Sequence, residues 1–523
     1  MATVMVTDMA TSLVRLPASH LPQHGPVRVY RRAARLLLAL LAVPSMAGVW
    51  EVQPSVSLSE TISDNASLQS GDSKNEAITE LSPGIRLRGT GDRLSVNLDY
   101  RLQRHIYARE SEKNKTRHAL GANASLEAIE NWLFVDADAT ISQQDISAFG
   151  GSPLGDNSSN PNRTETANYR LSPYVRGQLG GWAAYQLKYT QSLTKADSAQ
   201  VADIDNGTWS AGLSGLPAPS GLGWGLDGNG QTIEYENGRR SRSESARLLL
   251  SYQFDPQFKL AVFAGKERNN HASPQMQSND TPGASLEWSP SSRTQITASW
   301  QRRFFGDGSS FSFSHRSALT AWRLSSSKDI SVVPNQFGEV TLGSFFDLYF
   351  NLFASQEPDP IKRAVLVRNF LLLNGIPPNG TVSAGFLASR ISVQRQHQGS
   401  VAILGANNSL TLSASQSDSR GLLAASNLSD DFDSVDQVRQ QSLSLNWAHR
   451  FSPLSSLSLM LVRQRSQGSG ATALETTTDG LNLLFSTQLS PFTRASLGFR
   501  RSVVEGASDY AENALTGTVS HQF

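Results

Sequence analysis

The chain of 523 residues contains no cysteine. That excludes a disulfide framework, a thiolate metal site and a cysteine nucleophile, and it is compatible with export into an oxidising envelope. An excess of one charge is also missing. Lys and Arg number 46 against 45 Asp and Glu, a net charge of +1. Bulk positive charge for holding nucleic acid is therefore excluded. Long apolar runs are almost absent, and the single one, at residues 36–43, is too short to cross a bilayer as a helix. Hydrophobic residues make up 39% of the chain and the mean hydropathy is −0.31. These values argue against a helical membrane protein. They suit a β-barrel with a wet lumen, which needs only one apolar face per strand.

Catalytic signatures are missing too. Neither H-E-x-x-H nor G-x-S-x-G occurs, and the nine histidines are scattered. Gly221, Gly223 and Gly225 have no strand–helix pair around them, so the dinucleotide reading fails. Asp431, Asp433 and Asp436 share one loop but lack the glycine bend and closing glutamate of a calcium loop, and read as a solvated acidic segment. The sequence therefore offers no catalytic residue, no metal site and no cofactor.

What is present is alternation. From residue 513 to 523, Asn513, Leu515, Gly517, Val519, His521 and Phe523 share one face, and Ala514, Thr516, Thr518, Ser520 and Gln522 the other. Period two is a strand signature, and a closing strand ending on an aromatic is the assembly signal of outer-membrane barrels. Phe523 is the candidate for that signal. Similar segments recur from Trp50 onward: Leu94, Val96, Leu98, Tyr100 and Leu102 alternate with polar residues, as do Leu248, Leu250, Tyr252 and Phe254, and Leu443, Leu445 and Trp447. Short connections carrying Pro or Gly, such as 180–181, 255–257, 452–454 and 490–492, alternate with long polar ones at 142–164, 268–281, 420–436 and 466–479. That is the pattern of periplasmic turns and extracellular loops. Tryptophans cluster near strand ends, as interfacial girdles do.

The expected fold is an all-β, transmembrane antiparallel barrel of about 18–22 strands. Residues 1–47 read as an N-terminal extension and signal peptide: Arg31, Arg32 and Arg35 precede the apolar core, and small residues at Ser45 and Ala47 set the cut. Residues 48–523 are the barrel, with an insertion around 330–385. Within it, residues 359–373 read as a helix, with Asp359 as N-cap, Pro360 at the first helical position and Gly375 as the stop. Ile361, Val365 and Leu372 lie on one face, adjoined by Leu366, Phe370 and Leu373. The alternative reading makes 344–353 and 365–373 strands. Strand parity puts the insertion on the extracellular side, as a plug, a lid or a rim-packed loop.

The alternation directs Arg86, Arg88, Arg93 and Arg101 to the lumen, and Arg247 likewise on a later strand. Such a wall would favour acidic solutes. Equally, these arginines could pair with Asp99 and other inward acids and only stiffen the barrel.

Several segments resemble the outer-membrane β-barrel proteins associated with the PEP-CTERM/exosortase system. They are residues 50–61 (W-E-V-Q-P-S-V-S-L-S-E-T), 78–85 (I-T-E-L-S-P-G-I), 133–137 (L-F-V-D-A) and 302–306 (R-R-F-F-G). The resemblance implies a Gram-negative outer-membrane location and a place in exopolysaccharide production or export, and it carries no active site. The expected partners are outer-membrane lipid, the barrel-assembly machinery through the C-terminal strand, and exopolysaccharide with its export components. Two other classes stand beside this one: a general diffusion porin, and a barrel enzyme using a rim His and Ser.

Overall fold

The computed structural model describes residues 48–523, apart from 72, 152–159, 217–220, 237, 332–344, 374–384, 425–428, 471–472 and 507–508. The signal peptide read at 1–47 and the helix stop Gly375 lie outside the described residues.

Alternation has become strands almost everywhere it occurs. The first half holds β1 (Gly48–Ser63), β2 (Glu76–Gly91), β3 (Leu94–Tyr107), β4 (Lys115–Ile129), β5 (Leu133–Asp145), β6 (Arg163–Leu179), β7 (Ala183–Ala196), β8 (Ile204–Gly215), β9 (Leu222–Tyr235), β10 (Arg240–Asp255) and β11 (Phe258–Asn269). Then come β12 (Gln277–Asp280), β13 (Gly283–Ser291), β14 (Thr294–Arg303), β15 (Gly306–Arg316) and β16 (Thr320–Ser331). After the insertion follow β17 (Arg390–Leu404), β18 (Asn408–Ala424), β19 (Gln437–Ser452), β20 (Ser455–Ser469), β21 (Leu474–Gln488), β22 (Thr493–Gly506) and β23 (Tyr510–Gln522). Each pairs antiparallel with its neighbour. β12 and β13 are one strand interrupted at Thr281-Pro282, since both pair with β11 and proline has no N–H for the ladder. The barrel therefore has 22 strand positions.

β1 closes the barrel against β23. Facing hydroxyls reinforce the seam, Ser59 to Thr518 and Thr61 to Thr516, both at 2.9 Å. Closure removes the free edges that would otherwise invite aggregation.

The two faces are the reverse of a soluble sandwich. Leu248 and Leu250 are 52% and 49% exposed, and Leu443, Leu515 and Val519 are similarly bare. Ser444, Asn446 and Thr411 point inward and are buried. An apolar outside around a polar inside defines a membrane-spanning barrel. Trp132, Trp182, Trp322 and Trp447 gather at the ends joined by short turns, the periplasmic end by this pattern. Gly180, at φ +55°, makes one of those turns.

Residues 206–236, glycine-rich and hard to read as sequence, form the β8–β9 hairpin. The glycines make room outside the barrel: a Cβ at Gly230 would stand 2.2 Å from Trp209 Nε1. The long loop expected at 466–479 is mostly strand, because β20 runs to Ser469 and β21 starts at Leu474. There the strands rise beyond the apolar band, and both faces turn polar, which hides the alternation.

The insertion between β16 and β17 contains two helices, α1 (Phe345–Leu352) and α2 (Pro360–Leu373). The strand alternative for these residues does not hold. Asp359 caps α2 as expected: its Oδ1 accepts from Lys362 N at 3.4 Å, and its carbonyl accepts from Arg363 N at 2.9 Å. The side chains of Ile361, Val365 and Leu372, the expected face, lie outside the described residues. Val367 and Leu371 are wholly buried, while Leu366 is 40% exposed.

Candidate transport lumen

The helices pack inside the barrel. They hang from the extracellular end of β16 yet pack near its periplasmic end. Leu348, Tyr349, Leu352, Phe353, Val367 and Leu371 form one buried cluster with Ala321 of β16 and Ala402 of β17. Going from Ser331 down to Ala321 at ~3.3 Å per residue, with usual barrel tilt, is a descent of roughly 25 Å. The alanines leave the wall bare enough for helical approach. Tyr349 Oη lies 2.8 Å from Thr411 Oγ1 on β18. Phe370 joins the two helices through Tyr349 and Phe353, with ring centroids 4.9 and 5.2 Å apart. Burial of each large apolar side chain contributes roughly 1.5–3 kcal/mol to this anchorage.

The extracellular mouth is also crossed. Leu387 N donates to Asp145 O at 3.0 Å where the insertion returns to the rim. The β5–β6 loop folds inward. Ser147 Oγ and Ala148 N both donate to Asp431 at 2.7 Å, and Thr476 Oγ1 donates to Phe149 O at 2.8 Å. Phe149, Phe432, Val435 and Val438 close over these bonds. Asp430 and Asp433 both hold Arg390. Asp431 is therefore a latch, while Asp433 and Asp436 stay exposed as a solvated segment would. Burial pushes the Asp431 carboxyl up from its usual range, against the opposing pull of the Ser147 and Ala148 hydrogen bonds. Below the rim Ile204 and Ile233 meet Ile391, Ile330 and Leu422 across the lumen.

The lumen wall has two characters. From β15 to β21 one row reads Ser310, Ser327, Gln396, Ser417, Gln440, Ser466 and Thr476 as successive cross-strand neighbours. The row below reads Ser312, Ser325, Gln398, Ser415, Ser442, Gln464 and Thr478. Every member is a hydroxyl or an amide, and none is charged. Arg323 stands in the next row down and Asp329 in the next row up, and the expected arginines lie on the other side.

There the expected arginines divide. Arg86, Arg88 and Arg101 stand together on β2 and β3. Arg86 donates to Asp99 Oδ2 from Nη2 at 2.8 Å and from Nε at 3.1 Å, and Arg101 Nε lies 3.5 Å from Asp99 Oδ1. Arg88 has no ion pair or hydrogen bond among the described residues. Arg247 is inward but far round the barrel, 3.1 Å from Asp227 and over the Phe263 ring. Arg93 is not on the wall. It sits in the turn after β2 and pairs with Glu130 of the next turn at 3.0 Å, because the alternation ends where the strand ends.

Sequence reasoning missed Arg368. It projects from α2, over the Phe346 ring at 5.7 Å, within electrostatic range of Arg88 and Arg86. Burial, then the charges of Arg88 and Arg86, hold its guanidinium below its ordinary value. The signal for α1 was present: Phe346, Tyr349, Phe350 and Phe353 recur at three- and four-residue spacing.

The rim does hold one Ser–His pair, Ser241 Oγ with His271 Nδ1 at 2.8 Å. Both residues are fully buried and no carboxylate orients the ring, so the pair packs the rim and presents no nucleophile. Among the described residues no His, Asp and Glu group could hold a metal ion.

Fold and lumen define a membrane β-barrel of the outer-membrane type with two helices packed on its inner wall. No protein-family model and no curated sequence matches the chain. Among solved structures it is similar to the FrpB iron transporter from Neisseria meningitidis, at 10% identity and a TM-score of 0.48, covering 91% of this chain and 83% of that one. It is also similar to the siderophore receptor PirA from Acinetobacter baumannii, at 8% identity and 0.46, covering 90% and 80%. OccAB4 from Acinetobacter baumannii is similar at 8% identity and 0.34, covering 91% and 98%. At such identities the likeness says nothing of cargo.

Proposed function

We propose that this barrel is a gated conduit in exopolysaccharide export, passing hydrated sugar chains through its lumen. The observation that carries the reading is the pair of adjoining uncharged hydroxyl and amide rows running across β15 to β21. Sugar hydroxyls exchange hydrogen bonds with such a surface at little net cost, since each contact replaces an equivalent one to water. A neutral wall also leaves a long chain free to slide, where charged partners would hold it. The resemblance of residues 50–61 and 78–85 to the PEP-CTERM-associated barrels supports the same assignment. The two helices in the lumen argue against a general diffusion porin, whose channel stands open.

The test is deletion of the gene in its host, with secreted polysaccharide weighed against a complemented strain. A clear fall with polymer held in the periplasm is expected. Unchanged secretion sinks the conduit.

A further inference from the structure

We infer that the outer face of β16 to β19 seats a phosphorylated glycolipid of the outer leaflet, with Lys328 and Arg395 as its phosphate ligands. The inference concerns the wall that faces lipid and is independent of what the lumen carries.

Four outward residues stand side by side along one row: Lys328 on β16, Arg395 on β17, Asp418 on β18 and Arg439 on β19. Asp418 is committed to the far end of that row. It accepts from Arg439 Nε at 2.5 Å and from the amides of Gln416 and Gln437. Lys328 and Arg395 are left as a directly opposed pair of like charges, and neither has an ion pair among the described residues. Lys328 Nζ lies 5.6 Å from the centre of the Phe305 ring, at the tip of the β14–β15 hairpin. Asp307, on the outer face of β15, stands opposite Arg302. Like charges directly across a sheet are destabilising unless an anion joins them.

The row stands at the height of lipid headgroups. Beneath it His397, Gln416 and Gln441 form an uncharged polar row, and beneath those Leu324 and Leu443 face lipid. Four residues of strand at ~3.3 Å each, with usual barrel tilt, put Lys328 roughly 10 Å above Leu324. The polar layer of a leaflet extends roughly 5–8 Å past the hydrocarbon. A lysine or arginine bending down from that height reaches it. Directly opposed residues have Cβ atoms about 5 Å apart, so one phosphate fits between ammonium and guanidinium and takes donors from both. The amides of Gln416 and Gln441, joined at 3.0 Å, face the same layer and offer hydrogen bonds to sugar hydroxyls. A glycolipid bearing phosphate presents both chemistries at once, which a simple phospholipid does not. The strands it fastens to the leaflet, β16 and β17, are the two that carry the inner helices.

The test is native mass spectrometry of the purified full-length barrel in detergent. It is titrated with diphosphoryl lipid A, with the same lipid stripped of phosphate, and with phosphatidylglycerol. Diphosphoryl lipid A should bind about tenfold more tightly than either of the others. Lys328→Gln combined with Arg395→Gln should lower it to the level of the stripped lipid. Lys266→Gln, on the outer face of β11 beside Asp280, should leave it unchanged. Heat-modifiable migration on gels checks that each variant is folded. Equal binding of the three lipids overturns the site, as does wild-type affinity in the folded double variant. An equal loss in Lys266→Gln would reduce it to general surface attraction. Displacement of the lipid by equimolar inorganic phosphate would make it a free-phosphate site and overturn the lipid.

Discussion

Tyr349 and Thr411 join the helices to the wall by a hydroxyl pair at 2.8 Å, at the edge of an apolar cluster of Leu348, Leu352, Val367 and Leu371. The bond fixes the depth of α1, since apolar packing alone tolerates sliding by a turn. Tyr349→Phe should cost about 1 kcal/mol by leaving the Thr411 hydroxyl without its partner. Tyr349→Ala also opens a cavity and should cost about 3–5 kcal/mol. In planar bilayers the alanine variant should show frequent openings and the phenylalanine variant few. Equal, silent traces from both would mean that this pair does not set the plug.

Removal of the whole stopper makes a larger claim. Replacing residues 345–373 with a short Gly-Ser linker leaves the barrel ladder untouched, because α1 and α2 contribute no strand. The variant should fold, keep its heat-modifiable migration on gels, and conduct steadily. Cells carrying it should become sensitive to large hydrophilic antibiotics. A folded variant with wild-type conductance would put the barrier elsewhere, in the loops over the mouth.

The barrel itself was legible because its rule is local. Leu94 to Leu102 and Leu443 to Trp447 each expose period two without reference to any distant residue, and both became lipid-facing strands. Where two faces have the same polarity, as at 466–479, the rule goes silent and strand was read as loop. The luminal site was legible in part. Arg86, Arg88, Arg101 and Arg247 followed from the same alternation, but Arg93 lay one step past its reach. Arg368 could not be found that way. Nothing local tells which wall a helix inside a barrel will rest against.

At the mouth, Asp431 holds the β5–β6 loop through Ser147 and Ala148. Asp431→Ala strands two donors and should release the loop at a cost of about 1–3 kcal/mol. Limited proteolysis of intact cells should then cut within residues 146–162 several-fold faster than in wild type. Unaltered cleavage would show that the apolar contacts of Phe149 and Phe432 keep the mouth shut by themselves.

The rim should also make stability depend on pH through His271. Burial, with Arg303 and Arg239 nearby, lowers its pKa to about 4. Its Nδ1 shares a proton with Ser241, and Arg239 is committed to the carbonyls of Asn270, His271 and Ser273. Arg303 is held by Glu267 at 2.9 Å. The neighbouring charges are thus fixed as cations, and a charged imidazole finds no acceptor of its own. Unfolded, the ring takes up its proton around pH 6.5. Between pH 6.5 and 4 the unfolded chain therefore binds more protons than the folded one. The contribution of His271 is complete above about 6.5 and declines as the pH falls towards 4, by roughly 3 kcal/mol over the whole interval. Urea unfolding in lipid vesicles at pH 7.5 and at pH 5 should show the loss in wild type. His271→Gln, which cannot titrate, should flatten that difference even if it lowers stability at both values. A variant with the wild-type slope would assign the pH dependence to other groups.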